Sequence, residues 1–297
     1  MLIVLEGVDG AGKSTLANRL LHRMGEEHLR MHSGPLTGDP LREYEWRLKD
    51  YDPLGETHVV CDRWHVGELI YGPLYRGVSR LTGPMQRHVE LLLDSLGAVK
   101  LVVTADYYTI MRRLAIRGDE YIDMNHVGLV WDFYNEYAHA NDWELIDSDT
   151  ILDHILRKAR RRQLEATPLQ RFPTYVGPPH PRYLLLGERH GETRHNRPGY
   201  RSAFVPYPDT SGHYLLAALE SAGVSSYGLA NACQEDISKL WYALGRPIVV
   251  ALGQEAARAT AGTDVPFQTV PHPQYVRRFH HLTLQDYGRS IKEALDA

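Results

Sequence analysis

Apolar positions in the first half of the chain form short runs, and longer stretches with helical spacing separate these runs. The runs predict buried strands at 2–6, 58–62, 100–105 and 143–147. Helical spacing predicts helices at about 13–25, 65–75, 84–96, 107–117, 126–139 and 150–165. Strands that alternate with helices in this way are typical of an α/β fold with a parallel sheet.

A proline-rich stretch interrupts this pattern. Residues 166–181 contain five prolines and lack apolar periodicity, which indicates a linker. A second α/β pattern follows, with strands at 182–188 and 247–253 and a helix at about 212–222. The predicted organisation is therefore a domain at 1–165, a linker at 166–181 and a second domain at 182–297.

The composition is that of a globular enzyme. The chain has 297 residues, of which 43% are hydrophobic and 24% charged, enough for two domains with separate cores. A net charge of −4 provides no general basic field, so nucleic acid would require local basic patches. Because no apolar run approaches the ~20 residues of a membrane span, we expect a cytoplasmic protein without a membrane partner.

Cysteine content limits two further classes of site. Cys61 and Cys233 are the two cysteines of the chain. Two thiols are too few for a disulfide framework or a four-thiolate metal site. We therefore predict no disulfide and no iron–sulfur cluster, and expect both cysteines to be packed thiols.

Residues 7–15, the phosphate loop, read GVDGAGKST between the first apolar run and leucines at helical spacing. This is the G-x-x-x-x-G-K-[ST] pattern in a strand–loop–helix context. Lys13 is expected to reach the β- and γ-phosphates, and the Ser14 hydroxyl to bind magnesium. The remaining predicted nucleotide ligands are Gly7, Gly10, Ala11, Gly12 and Thr15, whose backbone would cradle the phosphates. The sequence thus predicts binding of ATP and Mg²⁺.

Asp62 and Arg63 follow the second predicted strand, at the edge where ligands of open α/β sheets bind. We predict that Asp62 holds the magnesium shell through water and that Arg63 grips an acceptor phosphate or the transferring group. A salt-bridged strand end is the alternative interpretation. Residues 64–77 add aromatic side chains that suit base stacking, although core packing is an equally good interpretation for each. The candidate acceptor ligands are Arg63, Trp64, Tyr71 and Arg76.

The phosphate loop, the later CDRW, a tyrosine-containing helix and MRRLAIRGDEY together resemble the thymidylate kinase branch of nucleoside monophosphate kinases, over about residues 1–150. The resemblance implies a Rossmann-like core and in-line transfer of the γ-phosphoryl group of ATP to an acceptor with a thymine-like base. It also implies that Asp9 faces the acceptor and that Arg117 belongs to a lid over the triphosphate. Arg112 and Arg113 are interpreted equally well as a solvated helix face.

One departure leaves the acceptor open. Family members usually carry a serine and later a Tyr-Gln pair after the Asp-Arg-aromatic element, whereas this chain has Gly67 and Tyr71-Gly72. The acceptor pocket is therefore expected to be similar in layout but altered in its polar contacts.

Four segments of the second half resemble, in order, the uracil-DNA glycosylase superfamily, particularly its cluster-containing bacterial and archaeal branch. They are GERHG (187–191), AFVPYPDTSGHYLLAAL (203–219), YGLANAC (227–233) and PIVVALGQEAA followed by VPHPQYVRRF (270–279). The resemblance implies a second α/β domain that recognises DNA or an extruded base. Each segment alone is also an ordinary loop sequence.

Particular residues of the second half acquire roles from this resemblance. The implied base or DNA ligands are Gly187, Glu188, Phe204, Asn231 and His272. Phe204 and Tyr207 offer stacking faces, while Arg277 and Arg278 suit phosphate contacts. Arg189-His190 replaces the residues usual in the first loop, so we expect recognition without cleavage.

Together the two resemblances favour a kinase that acts on a pyrimidine already in DNA, since a free-nucleotide kinase has no evident use for a base-extruding module. The leading hypothesis is the activity of the phage 5-hydroxymethyluracil DNA kinases, which phosphorylate the hydroxymethyl group as a step of DNA hypermodification. A phage-encoded protein would act in the host cytoplasm. The alternatives are a thymidylate or deoxynucleoside monophosphate kinase that makes dTDP from dTMP, and a DNA glycosylase or repair protein regulated by ATP.

Overall fold

The computed structural model describes residues 1–25, 28–32, 37–48, 51, 57–118, 122–150, 152–188, 203–280 and 282–297. Two compact units are present. The first contains Met1–Leu81 and Gly97–Leu164, and the second contains Thr82–Leu96 and Glu165–Ala297. Across the described residues, we find no helix with both the length and the apolar character that crossing a membrane requires.

A five-stranded parallel sheet forms the centre of the first unit. Its strands are β1 (Leu2–Glu6), β2 (His28–His32), β3 (His58–Asp62), β4 (Val99–Thr104) and β5 (Glu144–Asp147). They lie in the order β2-β3-β1-β4-β5, so β1 pairs with β3 on one side and β4 on the other. The carboxyl ends of the central strands therefore meet at one edge, where the phosphate loop begins.

Helices connect these strands. They are α1 (Lys13–Met24), α2 (Pro40–Arg47), α3 (Val66–Arg76), α4 (Gly83–Ser95), α5 (Tyr107–Arg117), α6 (Val127–Ala140) and α7 (Leu152–Ala166). The predicted strands at 2–6 and 58–62 have the predicted bounds, and the other predicted elements of this half lie within two residues of theirs. The sequence patterns missed β2 and α2. β2 is an edge strand that pairs with β3, so its HLRMH sequence lacks the apolar run that identifies a central strand.

The second sheet has four parallel strands. They are β6 (Tyr183–Gly187), β7 (Tyr227–Asn231), β8 (Ile248–Leu252) and β9 (Phe267–Val270), in the order β7-β6-β8-β9. The helices that follow are α8 (Ser211–Ser221), α9 (Ile237–Ala243), α10 (Gln254–Ala261), the short α11 (Pro273–Tyr275) and α12 (Leu284–Asp296). A π-helix at Val276–His280 continues α11. The parallel sheet confirms the α/β class.

Helix α4 departs from the predicted division of the chain. It lies within the sequence of the predicted first domain but belongs to the second unit. Leu91 is buried with Leu216 of α8 and Ile291 of α12 in one core cluster. Arg87 lies over the Tyr227 ring at 5.1 Å. Periodicity correctly identifies the helix, but it carries no information about which sheet the apolar face covers.

The proline-rich segment 166–181 also differs from the expected linker. It contains a 3-10 helix, Thr167–Arg171, and its Leu169 and Phe172 are buried in the second core cluster. The backbone of Val176 exchanges hydrogen bonds of 3.0 and 2.9 Å with that of Leu229 in β7. Prolines prevent a regular helix or strand here, but they do not prevent burial of the side chains between them.

Candidate active site

Glycines give the phosphate loop its path between β1 and α1. Gly7 has φ +135°, and a Cβ there would lie 2.2 Å from the Val103 carbonyl oxygen of β4. Gly12 has φ +104°, and a Cβ there would lie 2.7 Å from Cβ of Ser148. No described side chain caps the amino end of α1. Its first N–H groups can therefore bind an anion, as the phosphate-loop prediction requires.

Lys13 lies within this loop. Its side chain is buried, and its Nζ donates hydrogen bonds of 2.8 Å to the carbonyl oxygens of Gly7 and Val8. The pKa of Lys13 is lowered to about 7, chiefly by burial and also by the nearby Arg63 charge, against the opposing effect of neighbouring carboxylates. The Lys13 ammonium is thus held where nucleotide phosphates would stabilise its charge.

Binding of ATP at about pH 8.5 is expected to take up a proton, because phosphate anions raise the lowered pKa of Lys13. Calorimetric titrations in buffers of different ionisation enthalpy measure this uptake. Arginine stays protonated, so Lys13→Arg is expected to lose the uptake. Equal uptake by both proteins would contradict the assignment.

In the free protein the same pKa shift makes the free energy of unfolding rise with pH from about 7 to about 10.5, since the unfolded chain binds the additional proton in this range.

Ser14 and Asp62 are the pair to which the sequence assigns magnesium. Ser14 Oγ donates a hydrogen bond of 2.9 Å to Oδ2 of Asp62. Asp62 is buried at the carboxyl end of β3, opposite Leu5 of β1. A hydroxyl beside a carboxylate suits magnesium, which takes further ligands from phosphate oxygens and water. The described residues contain no group of three or more His, Cys, Asp or Glu side chains placed to hold a metal. The Ser14–Asp62 pair fits a magnesium ion bound with a nucleotide, because it supplies a hydroxyl oxygen and a carboxylate oxygen.

Asp9 and Arg63 form an ion pair near Lys13. An Arg63 guanidinium nitrogen contacts Oδ1 of Asp9, and the Tyr71 hydroxyl donates a 3.1 Å hydrogen bond to Oδ2. Burial raises the pKa of Asp9, but the charges of Lys13 and Arg63 and these hydrogen bonds outweigh it, so the pKa lies below its usual value. Arg63 adopts φ +74°, which is uncommon outside glycine. Asp9 is therefore an ionised carboxylate held in place by Arg63.

Glu6 is a functional residue that sequence reasoning missed. It is fully buried at the end of β1, and its Oε1 accepts backbone N–H groups of Trp64 at 2.7 Å, Val66 at 2.9 Å and Gly67 at 3.3 Å. The Tyr134 hydroxyl donates to its Oε2 at 3.3 Å. These contacts fix the turn that carries Arg63 into α3. Glu6 is a carboxylate at the end of an apolar strand run, and this position is the signal by which it could have been identified.

A cavity of about 950 Å³ connects these groups. Among the predicted site residues, it is lined by Asp9, Gly10, Gly12, Lys13, Ser14, Thr15, Asp62, Arg63, Trp64, Tyr71, Arg76 and Arg117. Gly7 and Ala11 are buried in the phosphate loop and are not among its described lining residues. The volume is at the upper end of the range for small-molecule sites, roughly 300–1,000 Å³. The structure thus brings nearly all predicted nucleotide and acceptor residues to one space.

The lid arginines differ in part from expectation. Arg113, for which the sequence left a lid position and a solvated helix face open, is exposed and donates from Nη1 to the carbonyl oxygens of Gly10 at 3.1 Å and Ala11 at 3.3 Å. Arg117, one turn later on α5, also lines the cavity. Residues four positions apart share a helix face, which explains why Arg113 and Arg117 both line the cavity.

The residues predicted to bind the acceptor include aromatic side chains. Trp64 is buried, with its ring centroid 5.1 Å from that of Tyr44. The rings of Tyr71 and Tyr75 are stacked, 6.1 Å apart and 9° from parallel. Arg76 is paired with Glu68, which the sequence did not single out. Trp64 is packed against Tyr44 and also lines the cavity, as do Tyr71 and Tyr75.

In the second unit the strand order changes direction between β6 and β8, the position where sheets of this order bind ligands. A Cβ on Gly187 would lie 2.5 Å from ring carbons of Phe204 and 3.3 Å from Oδ1 of Asn231. The Phe204 ring stacks on that of His272, with centroids 6.3 Å apart. A Cβ on Gly253 would lie 2.7 Å from Oε1 of Glu188. We call the five predicted residues Gly187, Glu188, Phe204, Asn231 and His272 the second-unit cluster.

The structure differs from some of the other predictions for the second unit. Tyr207 is buried, so it cannot offer a stacking face. Cys233 is exposed rather than packed, while Cys61 is buried as expected. Arg277 and Arg278 lie on the π-helix, where Arg277 donates to the Asp209 carbonyl oxygen and Arg278 is exposed. The substitutions noted at Arg189-His190 fall outside the described residues.

Part of the chain is similar in sequence to known proteins. No family model matches it. Over 153 residues it is 30% identical to YorR, an SPbeta prophage-derived uncharacterized protein of Bacillus subtilis strain 168, with 48% of this chain and 88% of YorR covered. The chain belongs to the YorR family. The thymidylate kinase of Mycoplasmoides gallisepticum is 37% identical over 71 residues, which cover 20% of this chain and 32% of that kinase.

Two solved structures are similar to about half of the chain. The crystal structure of B. subtilis YorR in complex with phosphorylated GDP is 27% identical, covers 53% of this chain and 94% of its own, and has a TM-score of 0.44. A deoxyadenosine kinase from M. mycoides with dCMP and dCDP bound is 16% identical, covers 54% of this chain and 100% of its own, and has a TM-score of 0.35. The YorR relationship and the sequence kinship with a thymidylate kinase make the first unit a P-loop kinase-like α/β domain.

Proposed function

We propose that the first unit is an ATP- and Mg²⁺-dependent phosphotransferase whose acceptor carries a thymine-like base. The observation that carries this proposal is the convergence of Lys13, the Ser14–Asp62 pair and the Asp9–Arg63 pair on one cavity. A cation at the loop, an oxygen pair for magnesium and an ionised carboxylate beside a second cation are the parts that phosphoryl transfer needs.

The proposed reaction follows from these positions. An acceptor hydroxyl oxygen bonds to the γ-phosphorus while the bond from that phosphorus to the β,γ-bridging oxygen breaks, and ADP leaves. Asp9 is ionised, so it can orient the hydroxyl and accept its proton. Lys13, Arg63 and Arg117 supply positive charge for the oxygens of the transferring group. Magnesium held by Ser14 and Asp62 would neutralise phosphate charge.

We further propose that the acceptor is the 5-hydroxymethyl group of 5-hydroxymethyluracil in DNA, as a step of phage DNA hypermodification. Support comes from the second-unit cluster, where a stacked Phe204–His272 pair lies close to Asn231. An aromatic face and an amide suit contacts to DNA bases, which gives the second unit a DNA-recognition role, and the acceptor base must leave the duplex before it can enter the first-unit cavity. Arg277 and Arg278 would contact phosphates. This unit is proposed to be a uracil-DNA glycosylase-like recognition domain without cleavage.

A second candidate is phosphorylation of free dTMP to dTDP. The 37% identity to a thymidylate kinase favours it. A third, a glycosylase or repair protein regulated by ATP, depends on the resemblance of the second unit alone. The three candidates predict different products, so one experiment separates them.

The experiment incubates the full chain with γ-labelled ATP and, separately, dTMP, duplex DNA containing 5-hydroxymethyluracil, and duplex DNA containing uracil. The proposal expects label in the 5-hydroxymethyluracil DNA and none in DNA with thymine at the same position. Label in dTMP alone would overturn the DNA acceptor and leave the kinase. Release of uracil without label transfer would support the third candidate.

A further inference from the structure

Helix α3 carries a charged pair that the proposed reaction does not use. Arg76 Nη2 donates to Oε1 of Glu68 at 2.5 Å, and the backbone N–H of Arg80 donates to the same oxygen at 2.9 Å. The side chain of Glu68 is 5% exposed and that of Arg76 is 35% exposed. A carboxylate so deeply buried requires compensating contacts, which these donors provide.

This pair faces the same cavity as the reacting groups. Glu68 and Arg76 line it together with Tyr71 and Tyr75, whose stacked rings form an adjacent wall. The Tyr71 hydroxyl bonds to Asp9, so the pair lies toward the acceptor end. Arg113 and Ser148, in contrast, contact the phosphate loop. The pair therefore lies at the end of the cavity where an acceptor base would enter.

The backbone is shaped around the pair. A Cβ on Gly72 would lie 2.9 Å from Nη2 of Arg76, 2.9 Å from Oε1 of Glu68 and 3.1 Å from Cα of Ser79. Any side chain at position 72 would therefore push the two charged groups apart or move the backbone. Gly72 lies at the position where the thymidylate kinase pattern has glutamine. A side chain at position 72 would occupy space that the Glu68–Arg76 pair fills, so the pair requires the absence of that side chain.

We propose that Glu68 and Arg76 together read the edge of the acceptor base, with the carboxylate accepting a ring N–H and the guanidinium donating to the neighbouring carbonyl. The inference rests on the proposed function and names its substrate class: bases with a carbonyl beside a ring N–H, which are thymine, uracil, 5-hydroxymethyluracil and guanine. Cytosine and adenine present a ring-nitrogen lone pair beside an amino group. That lone pair would face the carboxylate and be repelled.

The chemistry of both groups allows this role while the ion pair persists. A carboxylate accepts at about four positions, and the described hydrogen bonds to Glu68 are on Oε1. A guanidinium has five N–H donors, so Arg76 can bond Glu68 and a carbonyl together. A hydrogen bond to a charged partner in a buried site changes discrimination by about 10- to 100-fold.

Label transfer from ATP tests the inference with matched acceptors. The DNA arm compares oligonucleotides with one 5-hydroxymethyluracil or one 5-hydroxymethylcytosine, and the nucleotide arm compares dTMP and dGMP with dCMP and dAMP. The wild type is expected to prefer the carbonyl/N–H base by about 10-fold or more in whichever arm is active. Transfer to dGMP but not dTMP would assign the same edge to guanine. Equal use of cytosine-type acceptors would overturn the inference.

Variants separate base reading from structural support. Glu68→Gln is expected to lower kcat/KM for the preferred base by about 10- to 100-fold and to reduce discrimination, with KM for ATP unchanged. Gly72→Ala should reduce discrimination with both charges retained, whereas Glu293→Gln, an exposed change in the second unit, should alter nothing. Equal loss with every acceptor, together with a raised KM for ATP, would show a merely structural role. Transfer to no acceptor by the wild type would overturn the proposed function itself.

Discussion

Replacement of Lys13 by alanine is expected to lower phosphoryl transfer by about 10³-fold or more, whichever acceptor is used. The Lys13 ammonium lies in the phosphate loop, bonded to the carbonyl oxygens of Gly7 and Val8, and the first unit places no other lysine in the cavity lining that the structure describes. The variant would lack the loop ammonium that stabilises negative charge on the β- and γ-phosphates during transfer. Initial rates with γ-labelled ATP at saturating acceptor measure the effect.

A matched control is Lys239→Ala. Lys239 is exposed in the second unit, where it pairs with Asp236 three residues earlier. Exposed pairs of this kind contribute little to stability, so this variant should retain wild-type transfer and wild-type unfolding. Retention of more than about a tenth of the activity by Lys13→Ala would contradict the role of Lys13, because one lost donor already costs about 10²-fold.

Arg63→Gly is expected to lower kcat/KM by about 10²- to 10³-fold and to reduce the free energy of unfolding by about 2–3 kcal/mol. Glycine readily adopts the φ of +74° found at position 63, so the backbone is not strained by the change. The loss of stability then arises from Asp9, which keeps a largely buried charge without its ion-pair partner, and the loss of activity arises from removal of the Arg63 charge and of this pair. Kinetics with the accepted substrate and chemical denaturation measure the two quantities.

Arg23→Ala provides the comparison for this variant. The Arg23–Asp153 pair lies at 3.3 Å with both side chains about three-fifths exposed, so solvent screens it. Its loss should change stability by less than about 1 kcal/mol and leave transfer unchanged. Equal effects of Arg63→Gly and Arg23→Ala would show that the Asp9–Arg63 pair has no special function.

Much of the site follows from contiguous sequence. The phosphate loop places glycines, a lysine and a serine at fixed spacing, and local geometry alone brings their backbone and side chains together. Asp62 and Arg63 were predicted because they end a buried strand, where parallel sheets collect ligands. The relative positions of β1 and β3 then turn Ser14 and Asp62 into one hydrogen-bonded pair.

Residues that long-range contacts define could not be predicted in the same way. Glu6 bonds the backbone of Trp64, 58 positions later, and Arg113 bonds the carbonyl of Gly10, 103 positions earlier. Periodicity reports which side of one helix or strand is buried, but not which distant residue it meets. The same limit explains why the sequence assigned α4 to the first domain and treated residues 166–181 as a linker.

The sequence by itself determined the α/β class, the central strands and the phosphate loop, since each depends on residues that are neighbours along the chain. Only the tertiary structure decided that Arg113 joins Arg117 at the cavity, that Glu6 fixes the turn carrying Arg63, and that Glu68 pairs with Arg76 over Gly72. The pairing of Glu68 with Arg76 joins residues eight positions apart on α3, and the same carboxylate oxygen accepts the Arg80 N–H after the helix, so it depends on how that segment packs. Packing of this kind minimises buried unpaired charge over the whole unit, and no local pattern records it.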